Sequence, residues 1–317
     1  KPVRLQYTRE QEHKWEPYGS AMVIQTKAGV DANGNVLDWD LQIWSTPHGT
    51  RPSGEPGNLL SARYLDKPFT QPLPTNGGPP NYAADRNGIA LYDFAGHKVL
   101  THFITDMPVR VSSTRGLGAY ANVFAIESFM DELAAEGEKD PLNLRLHLLR
   151  DSPKFVAVLN KLAEISDYRA KRKQGVSIGI AIARSFASIV AHAVVVDKQK
   201  AGVKIKHVYS VIDCGFPLNP DNIIAQVESN IVYGLSAAVC NQITRTHGKT
   251  DQSNFHEYTV LRQGEIPAST IFVMPSQDEP GGVGEPGLPP IAPALCNAVF
   301  LATGKRVRTL PFRSEER

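Results

Sequence analysis

Residues 281–306 read GGVGEPGLPPIAPALCNAVFLATGKR, and a single carboxylate, Glu285, stands among their glycines and prolines. Gly281, Gly282 and Gly284 carry no Cβ, so backbone here can come close to a bulky ligand. Pro286, Pro289 and Pro290 stiffen the exit, and Pro293 suits the first turn of a helix running to Thr303. Gly304 then serves as C-cap, with Lys305 and Arg306 at the negative helix end. The stretch predicts a rigid strand–loop–helix junction that holds one acid in the way a general base needs to be held.

Upstream, strands and helices alternate without an internal repeat, which predicts an α+β chain of mixed strands and helices. Residues 21–29 and 35–46 alternate apolar and polar about Asp31-Ala32-Asn33-Gly34, a hairpin signal. Residues 48–88 form a long Pro/Gly/Asn-rich excursion, a lid or a partner contact, with Leu59, Leu60, Tyr64, Leu65, Phe69 and Tyr82 as its anchors. Strands are expected at 89–94 and 99–105. A helix follows the turn at Gly116 and Gly118, its apolar face formed by Val123, Ile126, Met130 and Leu133. Asp140-Pro141 opens a second helix and 155–165 forms a third, while the basic run 169–173 reads as a solvated loop. Strands fill 176–196 and 204–212, and Asn219-Pro220 caps a helix reaching Cys240. Two further strands are expected at 255–261 and 270–274. The organisation divides into lobes at 1–145 and 146–317.

The charge balance, 34 basic against 32 acidic residues, gives no electrostatic footprint for nucleic acid or an anionic membrane. No apolar run approaches the ~20 residues of a membrane span, and no signal peptide is visible. The three cysteines lie far apart, with no CxxC, so no iron–sulfur or c-type haem site is encoded and all three read as buried. The nine histidines show no HExxH, and no metal ligand set is expected in the chain itself.

Three blocks carry a family resemblance: GVGEPGLPPIAPALCNAVFLATGKRVRTLP, SSTRGLGAYANVFAIESFMDELA, and VIDCG followed by NPD and QVE. Through them the chain resembles the molybdenum-binding large subunit of the xanthine dehydrogenase/aldehyde oxidase family. It looks most like the branch of isoquinoline 1-oxidoreductase and nicotinate dehydrogenase large subunits. The resemblance implies the C-terminal part of the molybdopterin-binding domains of a molybdenum hydroxylase, oxidising an aldehyde or N-heteroaromatic substrate with water as oxygen donor. Glu285 would be the base that deprotonates hydroxide on molybdenum. Arg115, Gly116 and Gly118, with Gly282, Val283 and Gly284, would lie beside the metal, and Gln226 would hydrogen-bond the pterin. DQSNFHEYTVLR, at 251–262, matches a strand near the substrate funnel, which would bring Phe255, His256 and Tyr258 there.

The chain departs from the pattern at Ser229-Asn230, where relatives place two glycines. Glu228 reads as a buried hydrogen-bonding acid, and Glu127, Asp131 and Glu132 as a solvated face or packing partners. The family's earlier cofactor loops are not in this sequence, which suggests a split, cleaved or truncated large subunit. The cofactor, a molybdenum–molybdopterin cytosine dinucleotide, would then be shared with a chain carrying the N-terminal half. A [2Fe–2S] small subunit and an acceptor such as a cytochrome would take the electrons, with periplasmic or membrane-associated placement suggested by the relatives. The competing expectation is a cofactor-free structural or assembly subunit that retains the fold.

Overall fold

Asp31 sets the first hairpin turn by accepting from the backbone N–H groups of Asn33 and Asn35, at 2.9 and 2.8 Å. This Asx turn joins β1 (Met22–Val30) to β2 (Val36–Ser45) as an antiparallel pair. A short helix, α1 (Arg9–Trp15), precedes them, and β3 (Gly96–Phe103) adds in parallel to β2, giving the order β1-β2-β3. The structure, a computed structural model, describes residues 1–51, 54–77, 83–200 and 202–312.

Residues 89–94 are not the expected strand. Ala90, Tyr92 and Phe94 are buried in alternation, which imitates a strand in sequence. Their backbone has no strand partner, however, and the Asp93 N–H goes to the Leu148 carbonyl at 3.2 Å. In the excursion 48–88 the expected apolar anchors also fail. Leu59, Tyr64, Leu65 and Phe69 are exposed, Leu60 is half-buried, and Tyr82 lies outside the described residues. Ala62 and Ala84 are buried instead.

The helix α2 (Ala119–Glu136) buries Val123, Ile126, Met130 and Leu133 as expected. Asp140 caps α3 (Pro141–Leu148) by accepting from the Leu142 and Asn143 N–H groups, each at 3.0 Å. Next come α4 (Pro153–Ile165) and α5 (Tyr168–Lys173). The basic run is therefore one short helix rather than a loop, its charges outside and Tyr168 buried beneath.

A second sheet is built from β4 (Ser177–Ser185), β5 (Ser188–Gln199) and β6 (Gly202–Asp213) as an antiparallel meander. The chain then runs through α6 (Pro220–Val239), capped by Asn219, and the small pair β7 (Arg245–Thr246) and β8 (Lys249–Thr250). It returns as β9 (Ala268–Val273), parallel to β6. Residues 255–261, expected as a strand, form no ladder. The last helix, α7 (Ile291–Thr303), is buried continuously from Ile291 to Val299, as a helix apolar on all sides must be. Gly179 of β4 lets it lie directly on the sheet, since a Cβ there would stand 2.3 Å from the Ala294 carbonyl oxygen.

One buried cluster takes in Trp39, Met130, Leu159, Ile180 and Val211, so the stretches before and after residue 145 share a core. A second joins the sheet to α6 and α7. Between them Arg145, fully buried, bonds Glu127 at 3.0 Å and Asp131 at 2.8 Å, while Tyr92 donates to Glu127. Burial alone would depress this guanidinium, yet Glu127, Tyr92 and Asp131 hold it well above its ordinary value. These acids are packing partners; Glu132 instead pairs with Arg308 at the surface. Among the described residues no helix is long and apolar enough to cross a membrane. Cys214 and Cys296 are buried as expected, whereas Cys240 is only partly so.

Candidate functional site

The loop bearing Glu285 is fixed by backbone bonds on its way into α7. The Gly281 N–H donates to the Cys214 carbonyl and the Gly282 N–H to the Phe186 carbonyl, both at 2.8 Å. Ser188 Oγ returns a bond to the Gly282 carbonyl at 2.7 Å. Phe186 and Ala187 form the β4–β5 turn with φ of 51° and 64°, the left-handed values that a two-residue hairpin demands. His192, fully buried in β5, bonds the Gly287 carbonyl through Nε2 at 2.7 Å and the Ser210 hydroxyl through Nδ1 at 2.7 Å. Burial draws its imidazole down to about 4, so it is neutral at pH 7. Sequence reading missed His192, although a lone polar residue in SIVAHAVVV was the signal for it.

Arg115 brings the separated motifs together. Its Nε donates to the Gly284 carbonyl at 2.9 Å, with Nη2 on the same oxygen. Nη1 reaches Ser229 Oγ at 2.8 Å and Nη2 reaches Gln226 Oε1 at 3.1 Å. The Tyr233 ring lies 5.9 Å from the guanidinium carbon. Partial burial draws Arg115 below its ordinary value, and the charge of Glu285 works against that shift. Ser229, the departure from the expected glycines, thus has a definite place as an anchor for Arg115.

Gly284 and Gly282 differ in kind. A Cβ on Gly284 would meet nothing within 4 Å, whereas one on Gly282 would stand 2.9 Å from Phe186 Cβ. Gly118 resembles Gly282: a Cβ would stand 2.3 Å from the Ala84 carbonyl oxygen. Gly116 has φ of 90°, and its Cβ would press on Leu288. Open space therefore adjoins Gly284, and protein packing accounts for the other three. Among the described residues the N–H groups of Val283, Gly284 and Glu285 have no acceptor, and the half-buried Glu285 carboxylate has no hydrogen bond.

A cavity of about 460 Å³ adjoins Arg115 and is lined in part by His48, Tyr233, Tyr258 and Leu288. Of the three residues expected at a substrate funnel, only Tyr258 lines this cavity. Phe255 stacks under Arg9 at 4.7 Å, and His256 is exposed, 3.9 Å from Glu257. Glu285 is not part of this lining. His48 is buried with Nε2 3.2 Å from Ser45 Oγ, and burial draws it down to about 4. Glu228 is exposed, not the buried acid expected, because it falls on the solvent side of α6. Among the described residues no three His, Cys, Asp or Glu side chains gather so as to hold a metal directly. The free amides, the exposed Gln226 and the open face of Gly284 suit an organic cofactor rich in hydrogen-bond acceptors.

Residues 161–267 match the family model of the molybdopterin cofactor-binding domain. Over 99% of its length the chain is 32% identical to a nicotinate dehydrogenase subunit of Pseudomonas putida, of which it covers 27%. It is 28% identical, again over 99%, to the beta subunit of isoquinoline 1-oxidoreductase of Brevundimonas diminuta, of which it covers 38%. The chain thus spans less than half the length of these curated relatives. Its fold follows that of quinoline 2-oxidoreductase from Pseudomonas putida 86 with a TM-score of 0.75 at 11% identity, over 98% of this chain and 63% of that one. The resemblance read from the sequence, and the mixed α+β fold it implied, hold over nearly the whole chain. Gln226 and Ser229 fall inside the matched domain; Arg115 and Glu285 fall outside it.

Proposed function

We propose that this chain, which resembles molybdenum-binding large subunits of molybdopterin-dependent oxidoreductases, carries the general base of a molybdenum hydroxylase. Its substrate is an aldehyde or an N-heteroaromatic ring, with water as the oxygen donor. The observation that supports this reading best is the single guanidinium of Arg115 joining Gly284 of the loop to Gln226 and Ser229 of α6.

The cofactor is a molybdenum–molybdopterin cytosine dinucleotide, which when bound supplies a two-electron redox centre. Gln226 and the amides of Val283 and Gly284 would hold it, while Gly116, Gly118 and Gly282 keep the surrounding walls close-packed. The remaining cofactor contacts come from outside these residues, and a [2Fe–2S] subunit passes electrons to an acceptor such as a cytochrome.

Glu285 accepts the proton that the attacking oxygen must lose. Its position is set from both sides. Arg115 holds the preceding carbonyl, and His192 holds that of Gly287 two residues beyond. A base fixed in this way loses little orientation entropy at the moment of transfer.

Glu285→Gln keeps the side-chain shape and removes the proton acceptor. In the assembled, molybdenum-replete enzyme turnover should fall about 10²–10⁴-fold with unchanged metal content. Exposed Glu228→Gln should be silent. Near-normal turnover of the Glu285 variant would remove the base assignment. Metal and pterin analysis of the purified complex separates this reading from a cofactor-free assembly subunit.

A further inference from the structure

Residues 107–109 form a wall between the cavity at Arg115 and a second cavity of about 420 Å³. Arg63 and Arg110 both line this second recess. Arg110 is held in place, Nη1 donating to the Asn58 carbonyl at 3.4 Å and Nη2 to the Trp15 carbonyl. Arg63 is tied only through Nε, to the Gly57 carbonyl at 3.5 Å. Its two terminal nitrogens have no acceptor among the described residues.

Both guanidiniums are partly buried, and among the described residues neither forms an ion pair. Asp106 also borders the recess but reaches neither of them. Arg110 is drawn below its ordinary value first by burial and then by the charge of Arg63. Glu16 and Tyr7 offset this only in part. Two like charges are thus held together in a partly dry recess, and among the described residues no carboxylate pairs with either. Such an arrangement is relieved by an anion that accepts from both. Pro72, Leu73 and Pro74 also line the recess and offer an apolar surface for the body of a ligand. The volume, about 420 Å³, exceeds that of a lone inorganic ion and lies in the range of small-molecule sites.

We infer that this recess binds a small molecule through a carboxylate or phosphoryl group, with Arg63 and Arg110 as its donors. Both groups present oxygens spaced to accept parallel N–H bonds from a guanidinium fork, and Arg63 has that fork free. The site lies outside the constellation around Glu285. Its test reads binding alone, so it stands or falls separately from the base assignment.

The full chain is titrated calorimetrically at low salt with two probes, benzoate and inorganic phosphate. Binding of at least one is expected, and the tighter probe identifies the group. Arg63→Gln should weaken that probe about tenfold or more, because a charged hydrogen-bond donor is lost. Arg63→Lys, which keeps the charge but not the fork, should fall between the two. Arg63 makes one weak backbone bond, so circular dichroism should show both variants folded. The inference is overturned if neither probe binds, or if Arg63→Gln binds as tightly as the unaltered chain.

Discussion

His192 Nε2 lies 2.7 Å from the Gly287 carbonyl oxygen, and a carbonyl can only accept, so this nitrogen carries the hydrogen. Nδ1 then receives the Ser210 hydroxyl at 2.7 Å. One neutral imidazole in β5 thereby ties β6 to the loop of Glu285.

That tie has a pH signature. The folded value of about 4 lies below the ordinary 6.5, so the unfolded chain binds a proton that the fold refuses. The stability contributed is complete above pH 6.5 and is lost as pH falls towards 4; His48, also drawn down to about 4, acts in the same window. His192→Leu should flatten part of this slope in urea unfolding measured from pH 7 to pH 4. At pH 7 it should cost about 1–3 kcal/mol, because Gly287 and Ser210 lose their partner. An unchanged slope would assign the window to other groups.

Two glycines should behave oppositely. Gly118 has an ordinary helical φ of −66°, so the cost of Gly118→Ala is steric, from the Ala84 carbonyl. Overpacking of this kind costs about 1–3 kcal/mol and should lower Tm by several degrees. Gly284→Ala meets open space and should stay within about 0.5 kcal/mol of the parent. Any loss in that variant should appear as reduced molybdenum and pterin in the assembled complex. A Tm drop as large as that of Gly118→Ala would refute the distinction.

Arg145→Met should be among the most damaging substitutions. It leaves Glu127 and Asp131 buried without their counter-charge, at a cost of about 3–5 kcal/mol. Burial already raises Asp131 above the usual carboxylate range, so it has little reserve against the loss of Arg145. The urea midpoint should fall with an unchanged slope. A shift below about 1 kcal/mol would mean that the carboxylates find water or protons at no cost.

Local chemistry was legible in the sequence: the Asp31 turn, the buried face of α2, the Asn219 cap, and Gly304, which ends α7 with φ of 75°. Distant pairing was not. Nothing in 89–94 reveals that its backbone serves the end of α3, and the parallel unions of β2 with β3 and β6 with β9 join remote segments. Phe255 is expected at a funnel through the resemblance of DQSNFHEYTVLR, and its contact with Arg9 joins segments too far apart in sequence to be read locally. The motifs singled out Arg115, Gln226 and the loop before Glu285 as candidates, and the fold puts these segments in contact. The restraint supplied by Ser229 and His192 depends on contacts across the fold.

The bond from Arg115 to Gln226 also fixes polarity. A guanidinium has only hydrogens to give, so it must meet Oε1, and the Gln226 amide is turned with its NH2 group outward. Together with the unengaged N–H groups of Val283, Gly284 and Glu285, the neighbourhood offers hydrogens almost everywhere. The Glu285 carboxylate is the exception, an acceptor set in a field of donors. A visitor that is rich in lone pairs and has one proton to surrender satisfies every group at once; a visitor that is mainly a donor satisfies only one.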